Sequence, residues 1–225
     1  MTERRPGKGR DREQLRDGKV RTTSSRRWLQ RQLNDPYVIE ARRAGFRSRA
    51  AFKLAEIDDK LKLLRPGMRV VDLGAAPGGW SQIAAQRVAA REGRGRVVAI
   101  DLLEIDPIPG VDLMVGDFMD DAVLAALVER VGESVDVVLS DMAPSASGQP
   151  DIDHLRILNL AEAGLAFAEA HLKPGGSFVT KMLQGSGERE FIAALRRGFA
   201  EVGRIKPPSS RRESAEFFLV ARSRR

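Results

Sequence analysis

From residue 68 onward, short apolar runs alternate with longer stretches whose apolar residues recur at helical spacing. The runs 69–73, 96–100, 112–115, 135–140 and 177–182 lack the polar alternation of a half-exposed strand, which predicts strands covered on both faces. The stretches 79–91, 119–131, 152–171 and 187–199 predict helices between them. Such alternation implies an α/β fold with an open, mostly parallel sheet and helices on both faces. Lys173-Pro174-Gly175-Gly176 predicts a turn before the fifth strand. Two further β segments, 201–206 and 216–220, are joined by the loop 207–214 without a helix. They predict an antiparallel pair at one side of a seven-stranded sheet.

Ahead of this region the pattern is helical. Asp35-Pro36 predicts an N-cap with proline at the first helical position, and Gly45 predicts the stop. Ser48 is the expected cap of a second helix. That helix sends Phe52, Leu54, Ile57, Leu61 and Leu64 toward a core and leaves Lys53 on its other side. Arg65-Pro66-Gly67 predicts a closing turn. Residues 1–27 are dense in Arg, Lys, Gly and Ser and nearly bare of large apolar residues. They are expected to be a basic tail, disordered alone and able to order on RNA. Residues 28–225 are expected to form a single domain, without internal repeats.

Composition narrows the partners. The 225 residues carry 38 Lys and Arg against 31 Asp and Glu, a formal net charge of +7. That surplus favours a polyanion, nucleic acid above all, because neutralising phosphates gives generic affinity. The chain has no cysteine, which excludes disulfides, a Cys-ligated zinc and a thiol nucleophile. His154 and His171 are its only histidines, so a multi-histidine metal site is not expected. No apolar run approaches membrane-spanning length, and the basic start lacks the apolar segment of a secretory signal. A cytoplasmic monomer is the expectation.

Candidate chemistry begins in Val70-Val71-Asp72-Leu73-Gly74-Ala75-Ala76-Pro77-Gly78-Gly79-Trp80. An apolar run ends in an acid, then a turn of small residues, then a helix start with free N–H donors. This is the outline of a nucleotide-type site at the carboxyl end of a parallel strand. The spacing G-x-x-x-G-G is not the dinucleotide fingerprint, and the phosphate-binding lysine of a P-loop is missing. The pattern suits S-adenosylmethionine, which has no phosphate and carries a cationic sulfonium and an amino-acid tail. Asp72 and Gly74 are therefore candidate cofactor residues. Asp101 ends the second strand, where an acid can accept from ribose hydroxyls, and Asp117 after the third can reach an adenine amino group. Each acid taken singly could equally be a turn or N-cap residue.

The fourth strand ends in Ser140-Asp141-Met142-Ala143-Pro144-Ser145. This loop offers no aromatic platform for a flipped base, which disfavours base methylation. Lys181, inside the fifth strand, stands where lysine is costly to bury. It is either bridged to an acid or kept as a base, with Lys53, Asp141 and Glu216 as possible neighbours. Spacing alone favours the bridge.

These segments resemble the FtsJ/RrmJ group of ribosomal RNA 2′-O-methyltransferases, the bacterial large-subunit uridine enzymes. The match runs through Ser48-Arg49-Ala50-Ala51-Phe52-Lys53-Leu54, residues 72–82, Asp101-Leu102-Leu103, Gly116-Asp117-Phe118, residues 140–148, Lys181-Met182-Leu183-Gln184-Gly185 and residues 206–220. The resemblance implies a Rossmann-like S-adenosylmethionine-dependent methyltransferase. It places a Lys-Asp-Lys-Glu tetrad on Lys53, Asp141, Lys181 and Glu216, with Lys181 as proton acceptor. It places cofactor contacts on Gly78, Trp80, Asp101, Asp117 and Asp141. Glu216 is preferred to Glu213 because it directly precedes the terminal strand.

The implied activity is methylation of a uridine ribose 2′-hydroxyl in large-subunit (23S) ribosomal RNA, on the assembled 50S subunit and without a metal. A transfer-RNA ribose methyltransferase and a noncatalytic ribosome assembly factor are the alternatives. RNA contacts are expected from Arg42, Arg43, Arg47, Arg49, Lys53, Arg211 and Arg212, with steep weakening in salt.

Overall fold

The computed structural model describes residues 34–132, 134–144 and 147–225. The basic tail expected over 1–27 lies outside them. Helix α1 (Pro36–Arg43) starts as predicted: Asp35 accepts from the Tyr37 N–H at 3.0 Å, and proline takes the first position, where no N–H is needed. Helix α2 (Ala50–Leu61) corrects the expected Ser48 cap. Its N-cap is Arg49, without a side-chain cap bond, and the buried Ser48 Oγ has no partner. Ser48 is pressed against Gly79, where a Cβ would come within 2.4 Å of its Oγ. Packing between segments has overridden the local cap.

The strands are β1 (Arg69–Leu73), β2 (Arg96–Asp101), β3 (Val111–Val115), β4 (Val135–Ser140), β5 (Leu172–Leu183), β6 (Phe199–Ile205) and β7 (Glu216–Arg224). They form one sheet in the order β3-β2-β1-β4-β5-β7-β6, in which β7 runs antiparallel to both its neighbours. The expected antiparallel pair is present, with β7 inserted between β5 and β6 and β6 left at the edge. Helix α3 (Gly79–Arg87) follows β1, α4 (Asp121–Val131) follows β3, α5 (Pro150–His171) follows β4, and α6 (Glu188–Gly198) follows β5.

Several boundaries differ from expectation. Helix α3 stops at Arg87, short of 91, and Ala89 takes a left-handed φ of 57°. Helix α4 starts after Asp120, whose side chain accepts from the N–H groups of Ala122 and Val123. The turn expected at 173–176 is absorbed into β5: Val135 pairs with Leu172 and Val137 with Ser177, and the residues between form an irregularity in the ladder.

Strand alternation sends side chains into two cores. Val71, Leu73, Phe217 and Leu219 meet α4, α5 and α6 on one face. Val70, Phe218 and Val220 meet α2 and α3 on the other. The parallel strands therefore deliver their carboxyl ends, together with the start of β7, to one rim of the sheet. Among the described residues no helix is long and apolar enough to cross a membrane.

Candidate active site

Asp72, one residue before the end of β1, is wholly buried. Ser81 from α3 donates its hydroxyl to Asp72 Oδ2 at 2.6 Å, while Oδ1 has no partner. Burial pushes the carboxyl up to about 7; the Ser81 bond opposes this, and the charges of Asp141 and Asp101 add to it. Next in the chain, Gly74 turns at φ +76°, and a Cβ there would lie 2.7 Å from the Met142 Cα. The turn is thus seated directly on the backbone that follows Asp141. Gly74→Ala is expected to cost about 2–4 kcal/mol, from left-handed strain plus the overlap, read as a shifted midpoint in denaturant unfolding.

Gly78, at φ +110°, is the N-cap of α3 and supplies no side-chain cap. The first-turn N–H groups therefore remain for a ligand. Trp80 is buried; its Nε1–H donates to the Ala50 carbonyl at 2.9 Å and its ring lies 5.4 Å from Phe218. Only its backbone is left to contact a cofactor. Asp101 accepts from the N–H groups of Ala76 and Leu103, both at 2.9 Å, and Asp117 accepts from Met119 at 2.9 Å. Both acids hold turns, and each carboxylate keeps spare lone pairs. Leu102, Leu103, Val115 and Met119 stand exposed beside them. A buried orphan oxygen, uncapped N–H donors, two strand-end acids and exposed apolar side chains together fit a nucleoside with a cationic sulfonium and an amino-acid tail.

The four tetrad residues form two ion pairs at the same rim. Lys181 Nζ lies 2.9 Å from Asp141 Oδ1 and donates to the Asp141 carbonyl at 2.6 Å. Lys53 Nζ lies 2.7 Å from Glu216 Oε1 and donates to Oε2 at 2.8 Å, and Ser210 Oγ also reaches Oε1, at 3.1 Å. In the β5–β7 ladder Lys181 faces Phe218 and Leu183 faces Glu216. Lys181 and Glu216 therefore share the sheet face covered by α2, which carries Lys53. The bridge favoured by spacing is present at Lys181, in the setting that the resemblance implies. Glu213 is exposed, so the choice of Glu216 fits the geometry.

Several of the arginines expected to contact RNA also bond within the protein. Arg47 donates to the carbonyls of Pro77, Asp106 and Pro107, and its N–H donates to Gln82 Oε1 at 2.8 Å. It clasps the turn after β1 to the segment after β2. Arg49 and Arg211 both pair with Asp35, and Arg49 also donates to the Ser209 carbonyl. Arg42, Arg43 and Arg212 are exposed. Sequence reasoning missed Ser81 as the partner of Asp72, and missed Asp35 beyond its capping role. No local spacing signals either contact.

An open sheet that presents an acid, a glycine turn and an uncapped helix at one rim, beside a buried lysine, defines a Rossmann-like fold with a ligand site at its strand ends. Comparison with known proteins narrows the class. Residues 46–224 match the FtsJ-like methyltransferase family, and the chain belongs to it. Membership implies a methyl-donor cofactor. Proteins named ribosomal RNA large subunit methyltransferase E are similar along most of the chain. The one from Xanthobacter autotrophicus is 52% identical, covering 92% of this chain and 82% of its own. The one from Acidiphilium cryptum is 54% identical, covering 92% and 90%. A solved Plasmodium falciparum structure, assigned as a ribosomal RNA methyltransferase, is 30% identical with a TM-score of 0.68, over 80% of this chain and 98% of that one.

Proposed function

We propose that this enzyme transfers the methyl group of S-adenosylmethionine to a uridine ribose 2′-hydroxyl in large-subunit ribosomal RNA, on the assembled subunit. Lys181 is the proton acceptor. The observation that carries this is the pair of Lys–carboxylate bridges, Lys181–Asp141 and Lys53–Glu216, on one rim beside the cofactor turn. The names of the relatives support the RNA class, and the net charge of +7 agrees with a polyanionic substrate.

When bound, S-adenosylmethionine supplies a methyl group made electrophilic by its sulfonium. Asp72 and the first turn of α3 would hold its charged tail, Asp101 its ribose hydroxyls and Asp117 its adenine amino group. The chain's own task is then alignment and proton removal. A ribose hydroxyl is a weak nucleophile, and orientation is the larger contribution, about 7–11 kcal/mol. A positioned base adds about 10²–10⁴-fold. Lys181 is held from two directions by one residue, Asp141, which fixes its Nζ at the rim. Lys53, fixed by both Glu216 oxygens, adds a second cation for the incoming RNA.

The test is tritiated methyl transfer to large subunits, free ribosomal RNA and transfer RNA, followed by mapping of alkali-resistant dinucleotides. Label at an alkali-resistant uridine on large subunits is the expected result. Label confined to transfer RNA replaces the substrate, and cofactor binding without any transfer makes the protein an assembly factor.

A further inference from the structure

We propose that Gln82 and Arg47 form a clamp that holds the turn after β1 in its binding shape before the cofactor arrives. Gln82 is a positioning residue. It acts on the connector between α1 and α2, residues 44–49, and through Arg47 on the turn. This rests on the proposed S-adenosylmethionine site at that turn. Neither side chain has a part in the proposed proton transfer.

The clamp starts from the first turn of α3. Gln82 Oε1 accepts from the Arg47 N–H at 2.8 Å, and Gln82 Nε2 donates to the Gly45 carbonyl at 3.1 Å. One side-chain amide thereby meets two residues of the connector as a peptide unit of a neighbouring strand would. Two residues earlier on the same helix, Trp80 Nε1 donates to the Ala50 carbonyl at 2.9 Å, where the connector enters α2. Gly79 permits the close approach, since a Cβ there would lie 3.1 Å from the Ala51 nitrogen. The start of α3 thus keeps backbone N–H groups for the site and commits its side chains to the connector.

Fixed in this way, the connector aims Arg47 across the turn. Its guanidinium donates to the Asp106 carbonyl at 2.6 Å, the Pro107 carbonyl at 2.8 Å and the Pro77 carbonyl at 3.4 Å. These carbonyls belong to two segments, the turn after β1 and the stretch after β2. A planar fork of donors suits this bracket, because it can bond several carbonyls at once. The fit is tight: a Cβ at Gly78 would lie 2.6 Å from Ile108 Cδ1 and 3.1 Å from Arg47 Cδ. Ile105 and Ile108 are buried in one cluster with Ala75 and Ala99, and Asp101 accepts from the Ala76 N–H. Two sides of the proposed adenosine pocket are therefore tied by one arginine, whose own place is set by Gln82. A turn ordered in advance spares the cofactor the entropy of ordering it.

The experiment compares wild type with Gln82→Ala, Gln82→Glu and Arg47→Lys, each as the full chain. Calorimetric titration with S-adenosylmethionine is run beside methyl-transfer kinetics, melting temperature and amide hydrogen exchange of the cofactor-free proteins. Gln82→Ala is expected to raise the Kd for S-adenosylmethionine about tenfold, through loss of two hydrogen bonds that preorganise the turn. Its kcat at saturating cofactor and its KM for RNA should stay within about threefold. Without cofactor, exchange at Ala76 and Gly78, both hydrogen-bonded in wild type, should quicken about tenfold, while β5 amides keep their rates. Gln82→Glu keeps the acceptor for the Arg47 N–H and loses the donor to Gly45, so its Kd should fall between the two. Arg47→Lys keeps the charge but offers a point cation in place of the fork, and should match Gln82→Ala. A Gln82→Ala protein with a wild-type Kd, whatever its melting temperature, overturns the proposal. A wild type that binds no S-adenosylmethionine would overturn the proposed function instead. The exchange rates at Ala76 and Gly78 would then decide the clamp by themselves, unchanged rates overturning it.

Discussion

Lys181→Ala is expected to lower kcat for RNA methylation by about 10²–10⁴-fold while cofactor affinity stays within about twofold. The side chain lies on β5 and touches Asp141, and the cofactor turn is built on β1 and α3 without it. Loss of the amine therefore removes the proposed proton acceptor and leaves the turn after β1 and the start of α3 standing. Lys181→Arg separates the two roles a lysine can have here. Arginine preserves a cation opposite Asp141, yet it cannot present a neutral nitrogen at working pH. The arginine variant is expected to melt like wild type and to stay as inactive as the alanine variant. Single-turnover methyl transfer with saturating cofactor and RNA reads this directly. Substantial turnover by Lys181→Arg would reduce Lys181 to an electrostatic and positioning role.

Asp72→Asn is expected to move stability and cofactor affinity in opposite directions. The buried carboxyl titrates at about 7 in the folded protein, against an ordinary value of 3.8. Between those values the folded state holds a proton that the unfolded chain has released. The fold is then favoured fully below about pH 4 and loses stability as pH rises through 7. By pH 8 the loss approaches roughly 4 kcal/mol as an upper limit. Asparagine removes the titration and keeps an acceptor for Ser81. At pH 8 the cofactor-free variant should be more stable by about 1–3 kcal/mol, after the cost of burying an amide, with the gap closing toward pH 4. Its affinity for S-adenosylmethionine should fall at least about tenfold, because in the proposed site the ionised carboxylate faces the ammonium of the amino-acid tail. Wild-type affinity should rise with pH through 7, and the variant's should stay flat. Melting curves and calorimetric titrations at pH 5, 6, 7 and 8 check both. A wild-type melting temperature that does not fall over that range would show that Asp72 is not held neutral by burial.

These expectations rest on contacts of unequal visibility in the chain. Asp72, Gly74, Asp101 and Asp117 are legible because a parallel sheet must deliver its strand ends to one rim, and an acid or glycine directly after an apolar run marks that rim. Lys181 is legible as a charge inside an apolar strand. The pairing of Lys53 with Glu216, 163 residues apart, is not. Local signals also mislead at Ser48 and do not show the internal partners of Arg47, Arg49 and Arg211. A hydroxyl looks like a cap until the neighbouring segment is known, and an arginine's carboxylate partner stays hidden until the fold brings the two together.

By itself the chain determined its alternation of strands and helices, its strand-end acids and its basic surplus. Those are properties of apolar period, turn chemistry and net charge, all carried by residues close in sequence. Tertiary structure alone decided that β7 slides between β5 and β6 and so brings Glu216 beside β5 on the face from which Lys53 descends. It also decided that one buried carboxylate, Asp35, holds two distant arginines. The physical reason is common to both: a charge taken out of water needs a partner, and the fold, not the local sequence, determines which one it meets.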